Sequence, residues 1–165
     1  MVKFSRGDIV EIERKFVIEK EIDLSSLEYD DIVQGYVMLN PEVRVRSKGG
    51  KYYRTSKSKG DMVREEREKE ISCTMYNILM DNREGGIVAK RRYYMPYGKY
   101  TIEIDVFERH LEGLVVAEVE FETEEEANSF TPPDWFGAEV TYDKRFKNKN
   151  LSMVKSAPKL KKQKC

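Results

Sequence analysis

The strongest constraint in this chain is a period-two alternation that puts charge on one side of segment after segment. In VEIERKFVIEK (10–20), Glu11, Glu13 and Lys15 share one side. Val10, Ile12, Phe16 and Ile18 share the other, interrupted by Arg14. VRVRSK (43–48) sets Arg44 and Arg46 against Val43 and Val45, and IVAKRRYY (87–94) aligns Lys90 and Arg92 with Val88 and Tyr94. VVAEVEFE (115–122) aligns Glu118, Glu120 and Glu122, while YTIEIDVF (100–107) aligns Glu103, Asp105 and Phe107. Lys57 ends YYRTSK, and Glu66, Glu68 and Glu70 alternate along REEREKEI (64–71). Successive side chains of a strand point to opposite faces, so this pattern belongs to β-structure.

Strands are expected at 8–18, 31–38, 42–48, 51–57, 62–71, 87–95, 99–108 and 114–123. The breaks NPE (40–42), GG (49–50), KGD (59–61), GG (85–86) and PYG (96–98) carry turn residues. Such short connections favour antiparallel neighbours. Helices are expected at 74–83, with Thr74 near the cap, at 123–130, and within 143–155. Met75, Ile78 and Leu79 form the apolar face of the first, and Met75, Leu79 and Met80 are its expected core contacts. Thr123 and Glu126 have capping-box spacing at the second. The expected class is α+β, mainly antiparallel β with a few covering helices, and eight strands suit a closed β-barrel. An open sheet covered by helices on one side fits the pattern nearly as well. Residues 1–155 read as one domain, and 156–165 as a Lys-rich, disordered tail.

Charged residues make up 36% of the chain, but thirty bases balance thirty acids. That balance argues against general nucleic-acid or anionic-membrane binding, which would show as a basic excess. Cys73 and Cys165 form no metal-ligand or disulfide framework. No apolar run approaches the ~18 residues of a membrane span, and the N-terminus lacks a signal-peptide core. A soluble, cytoplasmic protein is expected, monomer or homodimer, with Cys73 buried and the single histidine, His110, at the surface.

Two readings of the charged faces stay open. They are solvated surface, or they line the lumen of a closed sheet, where ions must be paired, hydrated or bound to a ligand. Sorting by sign favours the second, because ordinary surfaces intersperse charges. Arg and Lys rows suit phosphate oxygens, and clustered carboxylates suit hard divalent cations such as Mg²⁺ or Mn²⁺.

The order of motifs narrows this further. Glu-x-Glu-x-Lys (11–15) is followed by QGY (34–36), VRVR (43–46), TSK (55–57), REE running into EKEI (64–71), KRRYY (90–94) and IEIDVF (102–107). LVVAEVEF (114–121), DWFGAEVTYDKRFKN (134–148) and NL (150–151) complete the series. Together they resemble the CYTH family, the triphosphate tunnel metalloenzymes, over residues 9–151. The resemblance implies an eight-stranded tunnel that binds a small-molecule triphosphate with Mg²⁺ or Mn²⁺. It implies metal-dependent hydrolysis, above all of inorganic tripolyphosphate. Adenylyl cyclase, thiamine triphosphatase and a non-catalytic phosphate-binding module are the alternatives.

Residue by residue, the resemblance makes Glu11, Glu13, Glu118 and Glu120 metal ligands and, with Lys15, the catalytic group. It places Lys15, Arg44, Arg46, Lys57, Lys90, Arg92 and Arg145 around the phosphates. Glu66, Glu68, Asp105 and Asp143 are its supporting acids. Phe146 stands where the family usually has tyrosine, and Arg67 and Lys69 where it tends to have apolar residues. Trp135 reads as a structural plug rather than an aromatic platform for substrate.

Overall fold

The computed structural model describes residues 2–4 and 8–160. The strands are β1 (Val2–Phe4), β2 (Asp8–Val17), β3 (Glu28–Met38), β4 (Glu42–Lys48), β5 (Lys51–Lys57), β6 (Val63–Ile71), β7 (Glu84–Tyr97), β8 (Tyr100–Phe107) and β9 (Val115–Phe121). Helices α1 (Cys73–Asp81), α2 (Glu124–Ser129) and α3 (Asn148–Leu151) join short 3₁₀ turns at Arg109–Leu111 and Lys144–Phe146. Every strand pairing is antiparallel.

The order β2-β6-β5-β4-β3-β7-β8-β9 returns to β2, closing an eight-stranded barrel, and β1 adds to the start of β2. Closure removes the exposed edges an open sheet would have. β2 pairs with β6 over Asp8–Ile12 and with β9 over Ile12–Val17. Where β6 leaves β2, a C-terminal segment takes over its hydrogen bonds. Gly137 N donates to Val17 O at 2.8 Å, Val17 N to Ala138 O at 2.9 Å, and Val140 N to Lys15 O at 2.8 Å. A side chain at Gly137 would meet Val17 O at 2.4 Å, so glycine is needed for this approach. The segment carries the following residues, up to 148, across the barrel.

Gly49 and Gly50 both have positive φ, 58° and 75°, forming the two-residue turn of the β4–β5 hairpin. The second glycine pair behaves differently from the expected break. Gly85 and Gly86 lie inside β7, where Gly85 has φ 71° and the β3–β7 register shifts. A left-handed glycine within a ladder makes a bulge instead of a turn.

The outward faces are covered. Ile12, Ile18, Ile102, Ile104, Val119 and Phe121 pack with Ala127 and Phe130 of the α2 region. Arg14, which interrupts the apolar side of β2, donates from Nη1 to the carbonyls of Ala127 and Phe130, each at 2.9 Å. Its Nε and Nη2 fork onto Glu139 at 2.8 and 2.9 Å. Thr123 Oγ1 accepts from Glu126 N at 3.1 Å, as the capping spacing implies.

Under α1 the packing face differs from the expected one. Tyr76 and Met80 are buried against Val45, while Met75 and Ile78 are 45% and 52% exposed. The helix starts at Cys73, and its cap is Ser72, whose Oγ accepts from Met75 N at 3.1 Å. Thr74 is therefore inside the first turn, and Cys73 is exposed rather than buried. Tyr76 stacks on Tyr52 at 4.9 Å, and Met80 Sδ sits where a Cβ on Gly35 would lie only 2.7 Å away. Those two contacts decide which face turns inward.

A third cluster fills one end of the barrel. Val17, Val88, Phe107 and Val116 pack with Leu111, Leu114, Val140, Phe146 and Leu151. Ala157 and Leu160 pack against this plug, so the first part of the Lys-rich tail lies on the barrel. Residues 161–165 of that tail lie outside the described residues.

Ser72→Ala is expected to cost about 1 kcal/mol of stability through loss of the cap. Thr74→Ala should stay within about 0.5 kcal/mol. Urea midpoints of the two variants check the assignment, and the reverse order would refute it.

Candidate active site

Inside the barrel, the alternation carries its charged side chains toward one cavity of ≈ 290 Å³. Direct cross-strand partners share a face. The pairs Glu13–Glu120, Lys15–Glu118, Arg44–Thr55, Thr55–Glu68 and Lys57–Glu66 therefore extend the lumen lining from strand to strand. Glu11, Glu13, Lys15, Arg44, Arg46, Lys57, Glu66, Glu68, Lys90, Arg92, Glu118 and Glu120 all line it. The solvated-surface reading therefore does not hold for these twelve.

The acidic side is crowded. Burial, then the charges of Glu118 and Glu11, push the Glu13 carboxyl well above the usual range. Burial, with Glu11 and Glu103 next, raises Glu120 to about 7. Glu11 behaves oppositely: burial works against its charge, but Lys57 at 3.1 Å and hydrogen bonds from Glu66 and Glu13 hold it well below.

The basic side is crowded too. Arg46 reaches Glu68 at 3.2 Å and Arg44 reaches Thr55 Oγ1 at 3.4 Å, while Thr55 donates to Glu68 at 2.8 Å. Burial and the neighbouring Arg44 and Arg92 push Arg46 down to about 10. Lys57 lies between Glu11 and Glu66, at 3.1 and 3.5 Å.

Asp105 ties the two sides together from beneath. Fully buried, it accepts Lys90 Nζ at 2.7 Å and Arg92 Nε and Nη2 at 2.7 and 2.9 Å. Burial works against its charge, yet Arg92 and Lys90 hold its carboxyl well below the usual range. Burial lowers Lys90 to about 8 despite Asp105. Arg92 also reaches Glu118 at 3.4 Å, and Lys15 reaches the other oxygen of Glu118 at 3.4 Å.

The C-terminal residues arrange themselves unexpectedly. Asp143 caps the 3₁₀ turn by accepting from Arg145 N at 3.1 Å, and also holds the Arg145 guanidinium, with Nη2 at 2.6 Å. Arg145 is 44% exposed in its side chain, donates to Lys159 O at 3.0 Å, and lies outside the residues lining the cavity. Lys147 and Asn148 take the lining positions instead. Lys147 Nζ reaches Gly60 O at 2.7 Å and Asp61 at 2.8 Å, while Asn148 Oδ1 accepts from Lys90 at 3.3 Å. The same DKRFKN stretch carries both pairs, so the sequence located the segment but not which of its members turn inward. Arg64, Tyr36, Glu42, Lys48 and Glu103 also line the cavity without having been expected there. Arg64, Glu42, Lys48 and Glu103 share the parity of their expected strand neighbours, which is the signal that could have found them.

Among the described residues, no three His, Cys, Asp or Glu side chains converge as placed on one metal-holding point. Lys57 engages Glu11, and Lys15 and Arg92 engage Glu118. The donor chemistry nevertheless fits a hard dication. The acids are all-oxygen ligands, and Glu13 faces Glu120 with both carboxyls raised in proton affinity. Positive charge placed between them would relieve that repulsion.

No family model matches the chain. It is 42% identical over 150 residues to an inorganic triphosphatase of Nitrosomonas europaea, covering 88% of this chain and 98% of the relative. This chain belongs to the CYTH family of triphosphate tunnel metalloenzymes. An inorganic triphosphatase of Acetivibrio thermocellus is 36% identical over 145 residues, covering 86% of this chain and 92% of that relative. A crystal structure of an inorganic triphosphatase superposes with a TM-score of 0.67 at 38% identity, covering 89% of this chain and 97% of that one. Against this CYTH background the departure at Phe146 is understandable. Its ring is 1% exposed within the apolar plug, where a hydroxyl would need a partner. Its carbonyl accepts from Lys15 Nζ at 3.3 Å.

Asp105→Asn is expected to cost about 3–5 kcal/mol, because it leaves two buried cations short of their counter-charge. Urea unfolding at neutral pH measures this, and near-native stability would overturn the assignment. Glu120 gives a pH signature. Its folded pKa, about 7, lies above the free carboxylate value, so the folded state holds the extra proton in between. Stability therefore falls as pH rises from about 4.3 through about 7. In chelator, Glu120→Gln should flatten that decline in Tm and stand above wild type at alkaline pH.

Proposed function

We propose that this chain hydrolyses inorganic tripolyphosphate to pyrophosphate and phosphate, using Mg²⁺ or Mn²⁺. The observation that carries the reading is a small lumen whose carboxylates and cations face one another across ≈ 290 Å³. Two curated relatives named inorganic triphosphatase support it. Trp135 packs on the outer cluster, 4.7 Å from the Phe136 ring, which weighs against its use as a platform for thiamine or a nucleobase in the lumen.

Lys15, Arg44, Arg46, Lys57, Lys90 and Arg92 bind phosphate oxygens, with Lys147 added from the C-terminal segment. Asp105 keeps Lys90 and Arg92 aimed, and a phosphate reaching Arg92 would displace its outer partners Glu103 and Glu118. Glu11, Glu13, Glu118 and Glu120 would hold the dication, exchanging their lysine and arginine partners for it. When bound, the metal supplies Lewis-acid neutralisation of phosphate charge. Glu66, which is not among those four acids, has its carboxyl raised above the usual range, burial being the first cause, which suits it to take a proton from an attacking water. The transition state is loose, so positioning and charge neutralisation suffice and no covalent nucleophile is required.

Glu13→Gln is expected to reduce metal-dependent phosphate release ~10²–10³-fold. Circular dichroism should show an unchanged fold, and full activity would remove Glu13 from the metal site. A release panel of tripolyphosphate, thiamine triphosphate, ATP and pyrophosphate, each with Mg²⁺ and Mn²⁺, tests the substrate. Tripolyphosphate should lead, whereas cyclic AMP formed from ATP would favour a cyclase.

A further inference from the structure

Nine lysine and arginine side chains line the cavity, and eight of them form an ion pair with a carboxylate. The exception is Lys48, whose ammonium makes no ion pair or hydrogen bond among the described residues. Lys48 is the last residue of β4 and shares the parity of Arg44 and Arg46 on that strand. Those two are 5% and 8% exposed, whereas Lys48 is half-buried and the exposed Gly49–Gly50 turn follows it. The basic row therefore runs from the interior to the rim, and Lys48 is its outer end. Its Nζ lies 5.8 Å from the centre of the Tyr94 ring, and the Tyr94 hydroxyl donates to Asp30 Oδ2 at 2.8 Å. The ring is thus held as a wall that keeps the ammonium at the mouth.

The charge at this position is unbalanced. Burial, then Arg46 and Arg92, push the Lys48 ammonium below the usual lysine value. Glu103 and Asp30 pull the other way, yet neither pairs with it. An anion that lies on Arg46 and Arg92 and extends toward the rim would turn this repulsion into attraction. Every other lining cation engages an acid that competes with such an anion, and Lys48 has none to release. Arg44 and Lys48 are four residues apart, about 13 Å along the strand. The cations gathered on Arg44, Arg46, Lys57, Lys90 and Arg92 hold the inner phosphoryl groups, so only a sufficiently long chain reaches the rim.

We propose that Lys48 is a specificity-determining residue, which binds the outermost phosphoryl group of a linear polyphosphate and makes affinity depend on chain length. The assignment rests on the triphosphatase reading and names the residue that separates tripolyphosphate from pyrophosphate.

The test compares wild type, Lys48→Met and Lys48→Arg at one ionic strength. Lys48→Met removes the charge and keeps most of the side-chain length. Its KM for tripolyphosphate should rise about tenfold with kcat less affected, since a hydrogen bond between charged groups is lost. Lys48→Arg keeps the charge and should stay near wild type. Calorimetric titrations in chelator then compare pyrophosphate, tripolyphosphate and tetrapolyphosphate. Lys48→Met should bind pyrophosphate as wild type does and bind the two longer chains more weakly. Lys48→Gln takes its place if Lys48→Met does not fold.

Unchanged tripolyphosphate affinity in the uncharged variant overturns the assignment. Equal weakening of all three ligands also overturns it, because that is the signature of a general field rather than a contact. A loss in Lys48→Arg as large as in Lys48→Met does the same, since charge would then not be what matters. Wild type that neither binds nor hydrolyses tripolyphosphate removes the triphosphatase reading and the role of Lys48 with it. Wild-type activity matched by Lys48→Met removes the role of Lys48 alone.

Discussion

The lumen depends on Asp105. Burying an ion costs several kcal/mol, and a barrel with Lys90 and Arg92 inside must recover that cost locally. Asp105 does so with one carboxylate, accepting Lys90 on one oxygen and a two-nitrogen arginine fork across both. Fixing those two cations also fixes what lies beside them. Arg92 reaches on to Glu118, Glu118 to Lys15, and Lys90 to Asn148 of the C-terminal segment. A single buried acid thus connects β7, β8, β9, β2 and α3. Arg92 is also paired with Glu103, so each of its three nitrogens meets a carboxylate.

The two ends of the barrel answer different needs. At one, Val17, Val88, Phe107 and Val116 replace charge on the lumen face, and Leu111, Leu114, Val140, Phe146 and Leu151 pack into them. At the acidic wall, Glu13 and Glu120 are forced together by register, and burial with the neighbouring acids raises the proton affinity of both. The segment at 137–148 joins these regions. It satisfies the edge of β2 that β6 leaves, places Val140 and Phe146 in the plug, and delivers Lys147 and Asn148 to the cavity.

Much of this was legible in period-two alternation, because a strand side chain has only two directions to choose between. Once Glu11, Glu13 and Lys15 share a face with acids and bases on six other strands, closure of the sheet carries all of them inward together. The same logic covers the apolar side, where Ile12, Phe16 and Ile18 are buried on the outside of the barrel. Helices and irregular segments were less legible. On α1 the apolar residues surround the helix, and the inward face was chosen by Tyr52 and Gly35, both on distant strands. In DKRFKN no period applies, so the expectation that Arg145 faces the phosphates had no test until Asp143 was seen to hold it outside while Lys147 lines the cavity.

The sequence by itself determined the strands, their two faces, the signs of charge on each and the family to which that order of motifs belongs. These are local properties, set by the pleat and by covalent order. Only the tertiary structure decided that the sheet closes, that one end is plugged, and that Asp105 is the shared counter-ion of Lys90 and Arg92. It also left the buried Gln34 amide without a hydrogen-bond partner among the described residues. Each of these depends on which strands lie opposite one another, and cross-strand register arises from long-range packing that no short stretch of sequence contains.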